Sequence, residues 1–326
     1  MLTRPAAFYD AKANLERILA AISEAAENGA KLAVFSELAL SGYPFHIWAL
    51  PYHGASRDRH ELELELIPWR TEQIPYIQSF YKEGAVEADG PEYQQLRSAC
   101  ISAGIRAVVG FSERCDGSLF MSQWIIGPDG ETIVRRKLKP TSLERVVFGE
   151  GDGSDLRVHD TELGRLGALQ CWEHTQPLIK YAMASQHEEI HCAGWPVFPP
   201  VLPHHSLCGG NRAVIEAYSI ETGTYNVFVS SILSEQNLDK IFGDKEPTLP
   251  LGGGYSGVVD PEGKVIAVSD PDKDEIVYAD VDLDFCYKAK SILDPLGHYS
   301  RPDVFEVCAF ASPHGLAADT CAAGPL

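Results

Sequence analysis

The sequence predicts a mixed α/β protein with sheets inside and helices outside. Three observations carry this. Segments of helical and strand periodicity alternate along the chain. Two β-rich pairs flank tight turns, "SLFMSQWII-GPDG-ETIVRR" (118–136) and "YSGVV-DPEG-KVIAV" (255–268), and each reads as a hairpin. No linker-like stretch interrupts 1–311, so that span is taken as one domain, with 312–326 an Ala/Gly/Pro-rich flexible tail.

The elements follow in order. Leu15, Ile18, Leu19, Ile22 and Ala26 recur at helical spacing, and Asn28-Gly29 ends that helix. "KLAVF" (31–35) reads as a short buried strand. Residues 46–90, with Pro51, Pro68 and Pro75, read as a long irregular excursion over a site. Residues 91–104 look helical and lead into the strand "IRAVVGF" (105–111). "RLGALQ" (165–170) is a strand, a helix begins near Pro177, and "EIHCAGW" (189–195) is a strand again. A helix over 211–222 ends at Gly223 and precedes the strand "YNVFVS". A last strand is expected near "EIVYADVD" (275–282).

Charge narrows the function classes. The 326 residues carry 27 basic and 46 acidic side chains, a formal charge of −19, with no Lys/Arg-rich run. That balance argues against nucleic acid and anionic membranes as partners. No apolar run approaches a membrane span, and "MLTRPAAFYDAKANLERIL" lacks the apolar core of a secretory signal. Eight cysteines without C-x-x-C spacing suit reduced thiols in a cytoplasmic chain better than a disulfide framework.

Two stretches bear on chemistry. His187-Glu188-Glu189-Ile190-His191 matches the H-E-x-x-H pattern of zinc enzymes. It straddles a predicted helix-to-strand junction and no third ligand stands out downstream, so no metal is expected; His191 is read as packed under the sheet with a hydrogen bond. In "LGALQCWEH" (166–174) a buried strand runs into Cys171 and a turn follows. A thiol under the N–H groups of such a turn has a lowered pKa and a preformed anion site. It still needs a base and a charge stabiliser. "KLAVFSE" ends at Glu37 and "ETIVRRK" ends at Lys137, so three reactive residue types leave three strands at similar positions. Gly252-Gly253-Gly254 lacks the Lys-Ser/Thr ending of a phosphate loop and implies no nucleotide. Tyr43 and Trp195 are candidates to shape an apolar pocket. Glu173 and His174 either line that pocket or pack at a subunit contact.

The order Glu37, Lys137, Cys171 resembles the Glu-Lys-Cys triad of the nitrilase, or carbon–nitrogen hydrolase, superfamily. "SGYPFHIW", "RRKLKPTSLERVVFGEGDGSD", "GRLGALQCWEH", "HEEIHCAGWP" and "DPLGHYSRPDV" are similar to its true nitrilase branch. The resemblance implies a four-layer α-β-β-α sandwich that forms homodimers or larger assemblies. It implies that Cys171 is the nucleophile, Glu37 the general base and Lys137 the charge stabiliser. Glu144 would position Lys137 or the substrate, and the Trp172 N–H would complete the anion site. The implied reaction takes a small nitrile and two waters to a carboxylic acid and ammonia, with no cofactor. The same triad also fits amide or cyanide hydrolysis or hydration. Two departures stand out: most of the usual first strand is absent before Pro5, and Ser36 replaces the proline that usually precedes the base. The first of these motivates an alternative of another class, a catalytically weak assembly protein.

Overall fold

The computed structural model describes residues 7–48, 74–197, 211–235, 237, 251–305 and 307. Two sheets form the interior. The first holds β1 (Leu32–Val34), β2 (Arg106–Cys115), β3 (Ser118–Ile126) and β4 (Thr132–Arg136), in that spatial order. A short β5 (Phe148–Gly149) pairs with Leu119 and Phe120, the stretch of β3 that β4 leaves free. The second holds β6 (His159–Thr161), β7 (Gly164–Gln170), β8 (Ile190–Trp195), β9 (Tyr225–Ser230), β10 (Gly257–Val259) and β11 (Val265–Val268), in the spatial order β11-β10-β9-β8-β7-β6.

Strand direction decides where the site lies. β1 is parallel to β2, while β2–β3 and β3–β4 are antiparallel, so β4 points the same way as β1. In the other sheet β7, β8 and β9 are mutually parallel. The carboxyl ends of β1 and β4 therefore emerge together, as open sheets require for a shared site.

Burial follows the two-residue period of the strands. Ala107, Val109 and Phe111 of β2 face outward, where α1 (Ala11–Glu27) and α2 (Pro91–Ala103) cover them with Leu15, Ile18, Ile22, Leu96 and Cys100. Val108 faces inward and meets Leu166, Ala168, Cys192, Val227 and Val229 of the second sheet. On the far side Leu169 packs on Ile179 and Met183 of α3 (Pro177–Ala184), and Ala193 and Phe228 join Ile215 of α4 (Arg212–Thr222). The layers run helix, sheet, sheet, helix. A last helix, α5 (Asp284–Ile292), buries Cys286 against the sheet-facing cluster.

Local signals explain the element ends. Asp10 caps α1 by accepting the Ala13 N–H at 2.9 Å. Pro91 opens α2 where its missing N–H costs nothing, and Gly104 closes it with φ 61°. Both expected hairpins form, β3–β4 and β10–β11.

Two expectations are corrected. The strand near 275–282 does not form: Ile276 alone has bridge pairing, and its neighbours carry no strand ladder. Alternating side chains report a half-buried surface, and a ladder needs a partner edge as well. The excursion 46–90 is also not irregular at its end, because 74–79 is helical and Phe80–Gly84 continues as a π-helical turn. Residues 1–6, where most of a first strand was expected to be absent, residues 49–73 and the tail 312–326 lie outside the described residues. Among the described residues no helix is long and apolar enough to cross a membrane, and Cys100, Cys115, Cys171, Cys192 and Cys286 are free thiols.

Gly110 of β2 lies under the turn that follows β1. A Cβ there would stand 2.6 Å from the Ser36 carbonyl oxygen and 2.7 Å from the Leu38 nitrogen, both backbone atoms. Gly110→Ala must push the 36–38 turn outward, and we expect a loss of about 1–3 kcal/mol, read as a lower urea midpoint.

Candidate active site

Three strand ends supply the central side chains. After β1 the chain turns inward: the Glu37 N–H donates to the Trp195 carbonyl at 3.3 Å, across to the second sheet, and Leu38 adopts φ 53°. Lys137 follows β4, held by its N–H donating to the Met121 carbonyl at 2.7 Å. Cys171 follows β7 and takes the left-handed conformation, φ 51°, at the head of the single turn Cys171–Thr175.

The three meet. Lys137 Nζ donates to Glu37 Oε1 and to Glu144 Oε2, each at 2.8 Å, and all three side chains are fully buried. Glu144 comes from the turn Ser142–Val146, whose start is a capping box closed by Thr141 and Glu144. Its Oε2 also accepts the Thr141 N–H at 2.5 Å, and its Oε1 accepts the Tyr43 hydroxyl at 2.6 Å. The Cys171 Sγ lies within 4.8 Å of a carboxylate oxygen of both Glu37 and Glu144. Such a donor set suits a cation, and the cation at hand is the Lys137 ammonium.

Burial sets the charges. It raises the Glu37 carboxyl from 4.5 to about 8; Lys137 opposes the rise and Glu144 adds to it. Burial alone would lower the Lys137 ammonium, but Glu144 and Glu37 outweigh it and hold the lysine charged. The lowered pKa expected for the Cys171 thiol is not found: burial and then the Glu37 charge raise it well above its ordinary value, while Lys137 and the Trp172 N–H pull it down. The cluster therefore holds a neutral thiol beside a carboxyl poised near neutral pH and a permanent positive charge. A carboxylate so poised is a far stronger proton acceptor than an exposed one.

A second buried pair ties the strand ends together. Arg135 of β4 grips Glu173 with two bonds, at 2.8 and 2.9 Å. Glu173 in turn accepts the Gln170 N–H at 2.7 Å and the Leu138 N–H at 2.8 Å. One carboxylate thus joins the residue before Cys171 to the residue after Lys137. The sequence reading left Glu173 among pocket or interface candidates and missed Arg135. The Gln170-x-x-Glu173 spacing of a capping box was the available signal.

The remaining sequence candidates fall in different places. Trp172 is partly buried beside Cys171. Trp195 is buried and stacks on His174, with ring centroids 5.0 Å apart. The polar atoms of Tyr43 and His174 are bonded within the protein, to Glu144 and to Cys171 and His191. The H-E-x-x-H match is not a helical site: α3 ends at Ala184, His187 is exposed in a turn with φ 59°, and His191 begins a buried bond at 2.7 Å to Glu188.

Comparison with known proteins agrees with this geometry. A profile of the carbon-nitrogen hydrolase family matches residues 4–291. An aliphatic nitrilase of Rhodococcus rhodochrous is 37% identical over 309 residues, covering 92% of this chain and 79% of that protein. A bromoxynil-specific nitrilase of Klebsiella pneumoniae subsp. ozaenae is 40% identical over 306 residues, covering 92% and 81%. Among solved structures, a carbon-nitrogen hydrolase from Helicobacter pylori G27 superposes with a TM-score of 0.68 at 19% identity, over 93% of this chain and 94% of that one, a likeness of fold.

Removing one partner of a buried ion pair leaves the other charge stranded. Glu173→Gln should cost about 3–5 kcal/mol in denaturant unfolding, well beyond the effect of a surface Glu→Gln change.

Proposed function

Because the chain belongs to the carbon–nitrogen hydrolase family, in its nitrilase branch, we propose that it hydrolyses an organic nitrile to the carboxylic acid and ammonia through a covalent intermediate on Cys171. The observation that carries this reading is the buried Lys137 ammonium, held by two carboxylates beside a buried thiol.

The steps follow from the groups. Glu37 takes the thiol proton and the sulfur attacks the nitrile carbon, so negative charge grows on nitrogen. The Lys137 ammonium and the Trp172 N–H face that charge in a site where burial strengthens both. Glu37 passes the proton it took to that nitrogen, which gives a thioimidate and leaves Glu37 ionised again. Water, deprotonated by Glu37, adds to its carbon; ammonia leaves and a thioester remains. A second water, activated the same way, releases the acid and restores the thiol. Glu144, anchored by Tyr43 and Thr141, keeps Lys137 in place through the cycle.

A second copy of the chain is the partner this reading includes. Leu178 on α3 and Ile220 on α4 stay 70% and 45% exposed on the outer helical layer, and apolar side chains so placed favour a covered face. A nucleophilic thiol must also stay reduced, which a cytoplasmic location provides.

The test is ammonia release and product identity across aliphatic, arylaliphatic and aromatic nitriles and cyanide. Acid plus ammonia supports the proposal; amide without acid redirects it to hydration, and no turnover by a folded sample refutes it. Cys171→Ala should reduce turnover to background, and Glu37→Gln should slow it roughly 10²–10⁴-fold. The ionised form of Glu37 is the working base, so kcat/KM should fall as pH drops through the raised value near 8. That acid limb should be missing in Glu37→Gln.

A further inference from the structure

A chain of buried hydrogen bonds runs away from the Cys171 carbonyl. The Cys171 carbonyl meets His174 Nδ1 at 2.6 Å. His174 Nε2 meets His191 Nε2 at 2.8 Å. His191 Nδ1 meets Glu188 Oε1 at 2.7 Å, and the Tyr218 hydroxyl donates to Glu188 Oε2 at 2.7 Å. Every side chain in it is 1% exposed or less.

The proton positions can be worked out from one end. A carbonyl oxygen only accepts, so His174 Nδ1 carries a hydrogen. Burial and the neighbouring His191 hold the His174 pKa well below its ordinary value, so the ring is neutral and its Nε2 is an acceptor. His191 Nε2 must then be the donor. The last proton lies between His191 Nδ1 and Glu188 Oε1, on either atom. From His191 inward, each donor therefore points toward Cys171.

The consequence at Cys171 comes from peptide planarity. The Cys171 carbonyl and the Trp172 N–H belong to one peptide unit and point in opposite directions across a trans bond. Holding the carbonyl on His174 turns the Trp172 N–H the other way, toward the sulfur, where it acts on the thiol. We propose that Glu188, His191 and His174 form a positioning relay that fixes the Cys171–Trp172 peptide plane and so aims the Trp172 N–H at the nucleophile and the charge it develops. The relay rests on the reading of Cys171 as the nucleophile.

The surroundings support a built device. Trp195 stacks on His174 at 22° between ring planes, and the Tyr218 ring lies 4.1 Å from that of His191. Residue 167, on the adjacent strand β7, is glycine, and a Cβ there would stand 1.9 Å from Glu188 Oε1. The sequence clears exactly the volume the carboxylate needs. Cys171 is held at φ 51°, a conformation that non-glycine residues keep only when neighbours impose it.

Two measurements test it. In long-range ¹H–¹⁵N spectra of histidine-labelled protein, His174 should be the Nδ1–H tautomer and His191 should carry a proton on Nε2; an Nε2–H His174 overturns the proposal. The variants follow donor logic. His174→Asn keeps an amide N–H where Nδ1 stood, and Glu188→Gln can donate to His191 Nδ1 while accepting from Tyr218. Both should retain most activity. His174→Phe keeps the stack on Trp195 but loses the donor. It should lower kcat by about 10²-fold with little change in KM, and slow iodoacetamide alkylation of Cys171 about tenfold at fixed pH. Glu188→Leu should behave alike. Equal loss in the conservative and disruptive variants, or normal alkylation in His174→Phe, would show the network to be structural only. Spectra and alkylation need no nitrile, so they succeed or fail independently of the proposed reaction.

Discussion

The Lys137 ammonium held between Glu37 and Glu144 is the interaction on which the interior depends. A charge taken out of water is tolerated only when paired and hydrogen-bonded. A single carboxylate would balance it and leave nothing to move. Two carboxylates leave one excess negative charge in a sealed space, and the cheapest relief is a proton on one of them. Burial directs that proton to Glu37, the carboxyl raised to about 8. Glu144 is tied down by Thr141, Tyr43 and Lys137, three hydrogen-bond donors. The two glutamates are chemically identical, and their hydrogen-bond surroundings give them different duties.

The fold exists to keep those charges at fixed distances. The parallel sense of β1 and β4 delivers Glu37 and Lys137 to one end of the first sheet, and β7 delivers Cys171 from the second. Sheets packed through aliphatic side chains alone set spacing only to within the softness of that packing. Backbone bonds tighten it. The Glu37 N–H reaches Trp195 across the gap, and the Arg135–Glu173 pair links Gln170 to Leu138. Each functional residue has a neighbour tied to the opposite sheet, so a change in sheet spacing cannot occur without breaking buried hydrogen bonds.

Much of this was legible in the sequence, and the reason is periodicity. Strands ending in a reactive residue show a buried apolar run that stops at a charge, as in "KLAVFSE" and "ETIVRRK". Their convergence was expected from three reactive residues leaving three strand ends, and the helices around them followed from stripes such as Leu15, Ile18 and Ile22. The partners were not legible. Arg135 alternates in β4 like any strand residue, and nothing local says that it faces Glu173 from a strand 38 positions away in sequence. His191 was legible as a packed, hydrogen-bonded residue, while its partner Glu188 stood out only within a metal-like spacing. A motif gives residue types and an interval, whereas a ligand set needs both side chains on one face, and the turn at His187 removes that. The strand expected near 275–282 failed for a related reason: a pattern specifies a face and leaves the pairing edge unstated.

The strain at the site has a geometric origin. Strand residues alternate between faces, so a side chain at a strand end points into one layer or the other according to register alone. To turn groups toward one point, the chain must break that alternation in the turns beyond the strands. It does so with left-handed residues that are not glycine: Leu38 beside Glu37, Ser142 two residues before Glu144, and Cys171 itself, with φ of 53°, 48° and 51°. Each costs on the order of 1–2 kcal/mol relative to a relaxed turn. Glycine would remove that cost but add freedom to the backbone that aims the side chain. At Cys171 no exchange is possible, since the residue must also be the thiol. The cost is offset by bonds that a relaxed turn would not make: the Gly42 N–H on the Leu38 carbonyl at 2.8 Å, the Thr141–Glu144 box, and His174 on the Cys171 carbonyl. Backbone strain and side-chain clamps thus occur as pairs, and loosening a clamp lets the strained residue relax away from the common point.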